Sequence, residues 1–259
     1  MKYGLFPGGK KIRSKILIDI GKIFFVKYSK LIKIGAAVEC IHAYSLIHDD
    51  LPCMDNDLIR RGKPSTHVKY GESTAVLAGN SLLTLAFEIL SDKKLNINNS
   101  LKIRLIKELS LCSGHTGIAG GQFLDLDYEK KKKTIKKIVD MQIKKTGKLF
   151  SFCCFSPAII SNKNEKIIRK FKIIGDEIGL LFQIADDLID ISVSSKKVGK
   201  KTKKDKKKGK ATFISLLGHK NTIIYAEKLK LRIQKKLKNY GYKSNGIIQT
   251  LEYILNRTK

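Results

Sequence analysis

The feature that most restricts the fold is the scarcity of proline: Pro7, Pro52, Pro64 and Pro157 are the only four in 259 residues. A proline inside a helix removes a hydrogen bond and clashes with the preceding turn, so long proline-free stretches leave room for long helices. Apolar residues fill that room at helical spacing. Leu31, Ile34, Val38, Ile41 and Leu46 recur near i, i+3, i+4 and i+7, with Ala36, Ala37 and Ala43 between them. A segment apolar nearly all round reads as a helix in the middle of a protein. The same periodicity predicts helices over 73–90, 99–117, 133–155, 165–191, 221–237 and 245–255. No stretch alternates apolar and polar residues, and no internal repeat is visible, so no sheet is expected. The expectation is an all-α protein in which residues 1–259 form a single-domain bundle of long helices.

Charge adds a second constraint. Lysine and arginine number 52 against 23 acidic residues, a formal net charge of +29. Such a field attracts nucleic acid, an anionic membrane surface or phosphorylated small molecules. The lysines are spread along the chain among isoleucine and asparagine, which fits solvated faces rather than one binding arm. Only the stretch 196–210, KKVGKKTKKDKKKGK, is lysine-dominated throughout, and it reads as a solvated loop. Cys40, Cys53, Cys112, Cys153 and Cys154 form no CxxC pair and show no metal-ligand spacing, which reads as free thiols in a reducing compartment. The first residues lack the apolar run of a secretory leader, and no run approaches the roughly 18 to 20 apolar residues that span a bilayer. A cytoplasmic protein without integral membrane association is expected.

Against this basic background two acidic clusters stand out. The first is Asp49, Asp50 and Asp55, with Asp57 following; the second is Asp186, Asp187 and Asp190. Each is expected at the carboxyl-terminal end of an apolar helix, where carboxylates oppose the negative end of the helix dipole. That arrangement calls for a cation. Asp186 and Asp190 are i and i+4 and share a helical face. Asp49 and Asp55 would point apart on a regular helix, but Pro52 forbids one there and lets the chain turn Asp55 back toward Asp49. Carboxylate oxygens without His or Cys suit magnesium, which leaves coordination places for water and substrate phosphate. For one cluster alone, an exposed loop or a helix cap would serve as well.

Bases adjoin these acids. Arg60 and Arg61 follow the first cluster, and Lys200, Lys201 and Lys210 follow the second. Lys144 to Gly147 ends or kinks another helix, and Gly8-Gly9-Lys10-Lys11-Ile12-Arg13 offers backbone NH groups and charge for a diphosphate. Acids for a metal beside bases for phosphate are what a diphosphate substrate requires.

These motifs resemble the trans-isoprenyl diphosphate synthases, the polyprenyl synthetase family, in their bacterial farnesyl-forming type. Residues 39–55, ECIHAYSLIHDDLPCMD, are similar to the family's first aspartate-rich region and the helix before it, and FQIADDLID at 182–190 is similar to the second. Gly-Gly-Lys at 8–10, Gly-Gly-Gln at 120–122, Lys145-Thr146-Gly147 and Gly199-Lys200 also match, in order, over essentially the whole chain. The resemblance implies the isoprenoid synthase fold, helices around a central cavity, and a homodimer. It implies magnesium ions, several per site, held by Asp49, Asp55 and Asp186 with support from Asp50 and Asp190. It gives Arg60, Lys145 and Lys200 to the allylic diphosphate, and Lys10, Arg13, His42 and Arg61 to isopentenyl diphosphate. Thr146 and Gln183 would turn oxygen dipoles toward the developing carbocation. Tyr44 and Ser45, one turn before Asp49, would floor the cavity for the growing chain and set a fifteen-carbon product. The implied reaction is condensation of isopentenyl diphosphate with dimethylallyl or geranyl diphosphate.

Some features depart from the family pattern. Ser14 replaces the usual proline, Lys11 an arginine, and Asn56 an aspartate. The family normally carries a further helix ahead of Gly-Gly-Lys, and its absence here would affect stability, dimer contacts or activity. Other readings remain: a geranylgeranyl-forming member of the family, a silent subunit, or a basic helical nucleic-acid binder. The last explains the lysines but not two acidic clusters on buried helices, so no nucleic acid is expected.

Overall fold

The computed structural model describes residues 1–6, 8–129, 131, 133–196 and 212–256, with the backbone alone over 191–196. The described residues are helical almost throughout: α1 (Lys2–Leu5), α2 (Ile12–Ile23), α3 (Tyr28–Asp49), α4 (Thr66–Tyr70), α5 (Glu72–Ser91), α6 (Asn99–Ser113), α7 (Ile118–Asp127), α8 (Ile135–Gln142), α9 (Lys148–Ile160), α10 (Glu165–Lys196), α11 (Phe213–Leu217), α12 (His219–Leu237) and α13 (Asn245–Asn256). The all-α expectation holds, with one small correction. Ile59–Arg60 (β1) and Lys63–Pro64 (β2) pair as an antiparallel hairpin around Arg61 and Gly62. Both turn residues have positive φ, 52° and 76°, the conformation a tight hairpin turn demands.

The chain divides into two compact units, one of residues 1–110 and 156–163, the other of residues 111–155 and 164–259. In the first unit α3 is the central element and packs against α1, α2 and α5. Leu31, Ile34, Ala37, Val38, Ile41 and Ile47 are buried, whereas Leu46 is half-buried and Ile32 and Ala36 are exposed, so the helix is enclosed over most but not all of its apolar circumference. On α5 the buried stripe is Ala75, Ala78, Gly79, Leu82, Ala86 and Leu90, while Val76 and Leu77 are exposed. By length and composition α5 is long and apolar enough to cross a membrane, contrary to the expectation that no segment is, though a third of the qualifying stretch is buried within the protein.

In the second unit α10 packs against α12 and α13, and against the turn between α8 and α9. That turn, Ile143–Gly147, is a single turn of π-helix, which interrupts what periodicity alone reads as one helix over 133–155. Small residues make the packing possible. A Cβ on Gly121 of α7 would stand 2.1 Å from the backbone nitrogen of Lys145, and one on Gly179 of α10 would stand 2.5 Å from the Cα of Gly147. Backbone opposes these positions, so no side chain can swing away. Gly121→Ala should therefore lower stability by about 1–3 kcal/mol, read as a lower urea midpoint; an unchanged midpoint would show that α7 and the π turn do not meet this closely.

Candidate active site

In the first unit, α3 runs to Asp49 and the chain then doubles back. The amide of Asp55 donates to the carbonyl of Asp49 at 2.8 Å, that of Asn56 to Leu51 at 3.0 Å, and that of Asp57 to Asp50 at 3.2 Å. Asn56 takes φ 50°, which asparagine tolerates better than most residues. The turn expected at Pro52 is thus real, and it returns Asp55 to Asp49. Asp50 behaves differently from its neighbours. It is buried, and Arg60 Nε lies 3.0 and 3.2 Å from its two oxygens, with Arg60 NH2 also in contact. Burial holds the Asp50 carboxyl above its ordinary pKa, and the hydrogen bonds and charge of Arg60 oppose that shift. Asp50, expected to support the metal, also holds Arg60 in place.

The basic side of the same unit gathers around His42. Arg13 NH1 lies 3.1 Å from His42 Nε2. A guanidinium can only donate, so Nε2 accepts and the ring is neutral with its proton on Nδ1. Burial, then the charges of Arg13, Arg61, Lys11 and Arg60, hold the His42 pKa well below its ordinary value. Arg61 reaches back to the carbonyl of Gly8, and its guanidinium packs so closely on Gly9 that a Cβ there would stand 2.7 Å from NH1. Gly8 and Gly9 have φ of 91° and 117°, so backbone conformation favours the glycine pair. Lys10 is exposed beside them. The charges of Arg13, Arg61, Lys11 and Arg60 thus converge on His42.

Two departures from the family pattern find partners in this unit. Lys11 pairs with Glu39 at 3.2 Å, and the Ser14 hydroxyl donates to the same carboxylate at 2.6 Å. Tyr44 is buried, its ring edge-on to His48 at 5.7 Å, and burial followed by the Asp49 charge pushes its phenol up to about 12. Ser45 is buried and donates to the carbonyl of His42 at 3.0 Å.

In the second unit, the π turn presents Lys145 and Thr146 side by side. Lys145 Nζ is 2.7 Å from Asp125 Oδ2 on α7, with both side chains largely buried. Thr146 Oγ1 lies 3.4 Å from Gln183 Oε1 on α10, and Gln183 Nε2 lies 3.3 Å from Asp187 Oδ1. Asp187 is buried and also accepts from the Phe213 amide at 3.1 Å. Asp186 is half-buried and Asp190 exposed, one helical turn apart. Because α10 continues to Lys196, this second cluster is not at a helix terminus. The unfavourable dipole inferred from sequence applies only to the first cluster, since the effect fades within the last turn. Lys200 lies outside the described residues.

Asp125 was not singled out from sequence. The signal available was a scarce carboxylate three residues after Gln122 on one helix face. Gln122 itself is buried, and neither its amide nitrogen nor its amide oxygen has a hydrogen-bond partner among the described residues.

Among the described residues no three His, Cys, Asp or Glu side chains cluster as a complete metal cage. Within each unit the donor set nonetheless fits magnesium: Asp49 with the returned Asp55, and Asp186 with Asp190, are hard oxygen donors in pairs. Magnesium commonly takes one or two carboxylates and completes its shell with water and phosphate oxygen.

The neutral state of His42 has a consequence for stability. Its folded pKa is depressed, so below about pH 6.5 the unfolded chain takes up a proton that the folded chain refuses, and stability falls with pH. The loss between about pH 7.5 and about pH 5.5 should be smaller in His42→Gln than in wild type by about 1 kcal/mol, measured by urea unfolding. Equal losses in the two proteins would mean that His42 is not held neutral.

Comparison with known proteins agrees with this geometry. The family profile described as Polyprenyl synthetase matches residues 1–254. The farnesyl diphosphate synthase of Escherichia coli (strain K12) is 38% identical over 264 residues, covering 100% of this chain and 88% of the relative. That of Bacillus subtilis (strain 168) is 39% identical over 218 residues, 84% of this chain and 74% of the relative. The crystal structure of a Helicobacter pylori geranyltransferase complexed with magnesium and isoprenyl diphosphate superposes with a TM-score of 0.84 at 33% identity, covering 99% of this chain and 86% of that one. On its sequence, its helices and the motifs they carry, the chain belongs to the polyprenyl synthetase family.

Proposed function

We propose that the chain condenses isopentenyl diphosphate with dimethylallyl or geranyl diphosphate to give farnesyl diphosphate and diphosphate. The observation that carries this reading is the first aspartate-rich turn, in which the Asp55 amide is tied to the Asp49 carbonyl while Asp50 is taken by Arg60. The turn brings the backbone of Asp55 back to that of Asp49, so that two acidic residues share one turn beside the Asp50–Arg60 pair. Similarity to farnesyl-forming relatives over 84% and 100% of this chain supports the fifteen-carbon product over a geranylgeranyl one.

Each residue then has a task. Asp49 with Asp55, and Asp186 with Asp190, would hold magnesium ions. When bound, magnesium supplies positive charge that stabilises the departing diphosphate. Lys145, held by Asp125, adds a fixed cation for the allylic diphosphate, and Lys200 is assigned to the same group. Arg13, Arg61 and Lys10 neutralise isopentenyl diphosphate, and neutral His42 orients Arg13. The oxygens of Thr146 and Gln183 face the positive charge that develops on the allylic carbon. Its C–O bond breaks with the electron pair leaving on diphosphate; the isopentenyl double bond then forms the new C–C bond, and a proton is lost to the released diphosphate. Tyr44, packed and rigid one turn before Asp49, stops the growing chain.

A homodimer in the cytoplasm completes the proposal. Val76, Leu77 and Ile103 are exposed apolar residues on α5 and α6, which favours covering by a second copy. The free thiols of all five cysteines accord with a reducing compartment. Leu77→Glu should shift sedimentation toward the monomer, and an unchanged sedimentation coefficient would place the contact elsewhere.

The catalytic assignment is tested at the carboxylates. Asp49→Ala and Asp186→Ala should each lower condensation by about a thousandfold or more while keeping the helical circular dichroism spectrum; near-normal turnover in either would remove that residue from the metal site. Tyr44→Ala should move products from fifteen carbons toward twenty or more. An unchanged product distribution would show that another residue is the floor.

A further inference from the structure

Asp187 is the acidic residue of the second cluster to which the reading above assigns no task. It is buried and both its oxygens are engaged within the chain: Oδ1 lies 3.3 Å from Gln183 Nε2, and Oδ2 accepts from the Phe213 amide at 3.1 Å. The second contact ties α10 to the first turn of α11. The first has a more specific result.

A glutamine amide has two ends of similar size and opposite polarity, and its surroundings decide which way it faces. An ionised carboxylate can only accept, so the Gln183 NH2 must turn toward Asp187. Its carbonyl oxygen is thereby forced to the other side, toward Thr146, whose hydroxyl donates to it across 3.4 Å. Gln183 and Asp187 are i and i+4 on α10, so helical spacing maintains the contact. Thr146 is fixed independently: it is buried, and its π turn is pressed on α7 at Gly121 and on α10 at Gly179.

We propose that Asp187 is a positioning residue for condensation: it acts through Gln183, locking the amide so that its oxygen, and not its NH2, faces Thr146 and the developing carbocation. An NH2 group turned that way would present positive potential to a cation, so orientation matters to the transition state far more than to substrate binding. Because both oxygens are engaged by donors of the chain, Asp187 is not the carboxylate that α10 offers to metal; Asp186 and Asp190 remain in that place. The inference rests on the proposed condensation, and its test separates the two.

The experiment is a double-mutant cycle on the full chain with isopentenyl and geranyl diphosphates and magnesium. Asp187→Asn keeps the shape but gives Gln183 a partner that serves either amide orientation. It should lower kcat about tenfold or more, with KM for both substrates and half-saturating magnesium changed by less than about twofold. In a Gln183→Ala background the same substitution should cost nothing further in kcat, because the group it orients is gone. Asp187→Glu distinguishes orientation from packing. Glutamate remains acceptor-only, so it should retain more kcat than asparagine, whereas the isosteric asparagine should retain the higher melting temperature. Full additivity of the two substitutions, a kcat order of asparagine above glutamate, or a rise in half-saturating magnesium would each overturn the proposal. A wild-type chain that condenses nothing would sink the reading of the function itself; an active wild type with additive costs would overturn the role of Asp187 alone.

Discussion

The meeting of carboxylates with the end of α3 is the constraint on which the rest depends. A largely buried helix delivers Asp49 and Asp50 at its negative end, where anions are least welcome. The chain resolves half of this problem internally. Asp50 goes into the protein and takes Arg60 as a fixed partner, a pairing that would be costly to break because it would strand a buried charge. Asp49 and the returned Asp55 add further carboxylates to the same turn, hard oxygen donors of the kind a divalent cation takes.

The basic residues show matching discipline despite the large excess of lysine. Arg61 is pinned by the glycine pair, Arg13 by neutral His42, Lys145 by Asp125, and Lys148 by Asp176 at 2.9 Å. Each of these bases is oriented before any substrate arrives, which reduces the ordering cost at binding. Preorganisation, more than net charge, distinguishes them from the many solvated lysines.

How much of this was legible in the sequence depends on the kind of signal. Periodicity revealed α3, α5, α6 and α10 because their buried stripes are continuous, and Pro52 revealed the turn at Asp55. Helix α7 was not legible, since Gly120 and Gly121 weaken its pattern, yet Gly121 is there because Lys145 backbone lies against it. The π turn cannot be read from a 3.6-residue period; only Lys144 to Gly147 hinted at a break. The second aspartate cluster was placed at a helix end because the lysine stretch follows it, but α10 runs on to Lys196. Partners far apart in the chain, such as Lys145 with Asp125 and Asp187 with Phe213, leave no local trace at all. The family motifs supplied the roles proposed for these residues.

The most direct measurement is product analysis of the wild-type chain given isopentenyl and geranyl diphosphates, with magnesium and with the metal chelated. The account predicts a fifteen-carbon diphosphate as the main product, one diphosphate released for each bond formed, and no product after chelation. Condensation that persists without a divalent metal, or an absence of any condensation with it, would contradict the view that the carboxylates at Asp49, Asp55 and Asp186 exist to bring a metal to a diphosphate.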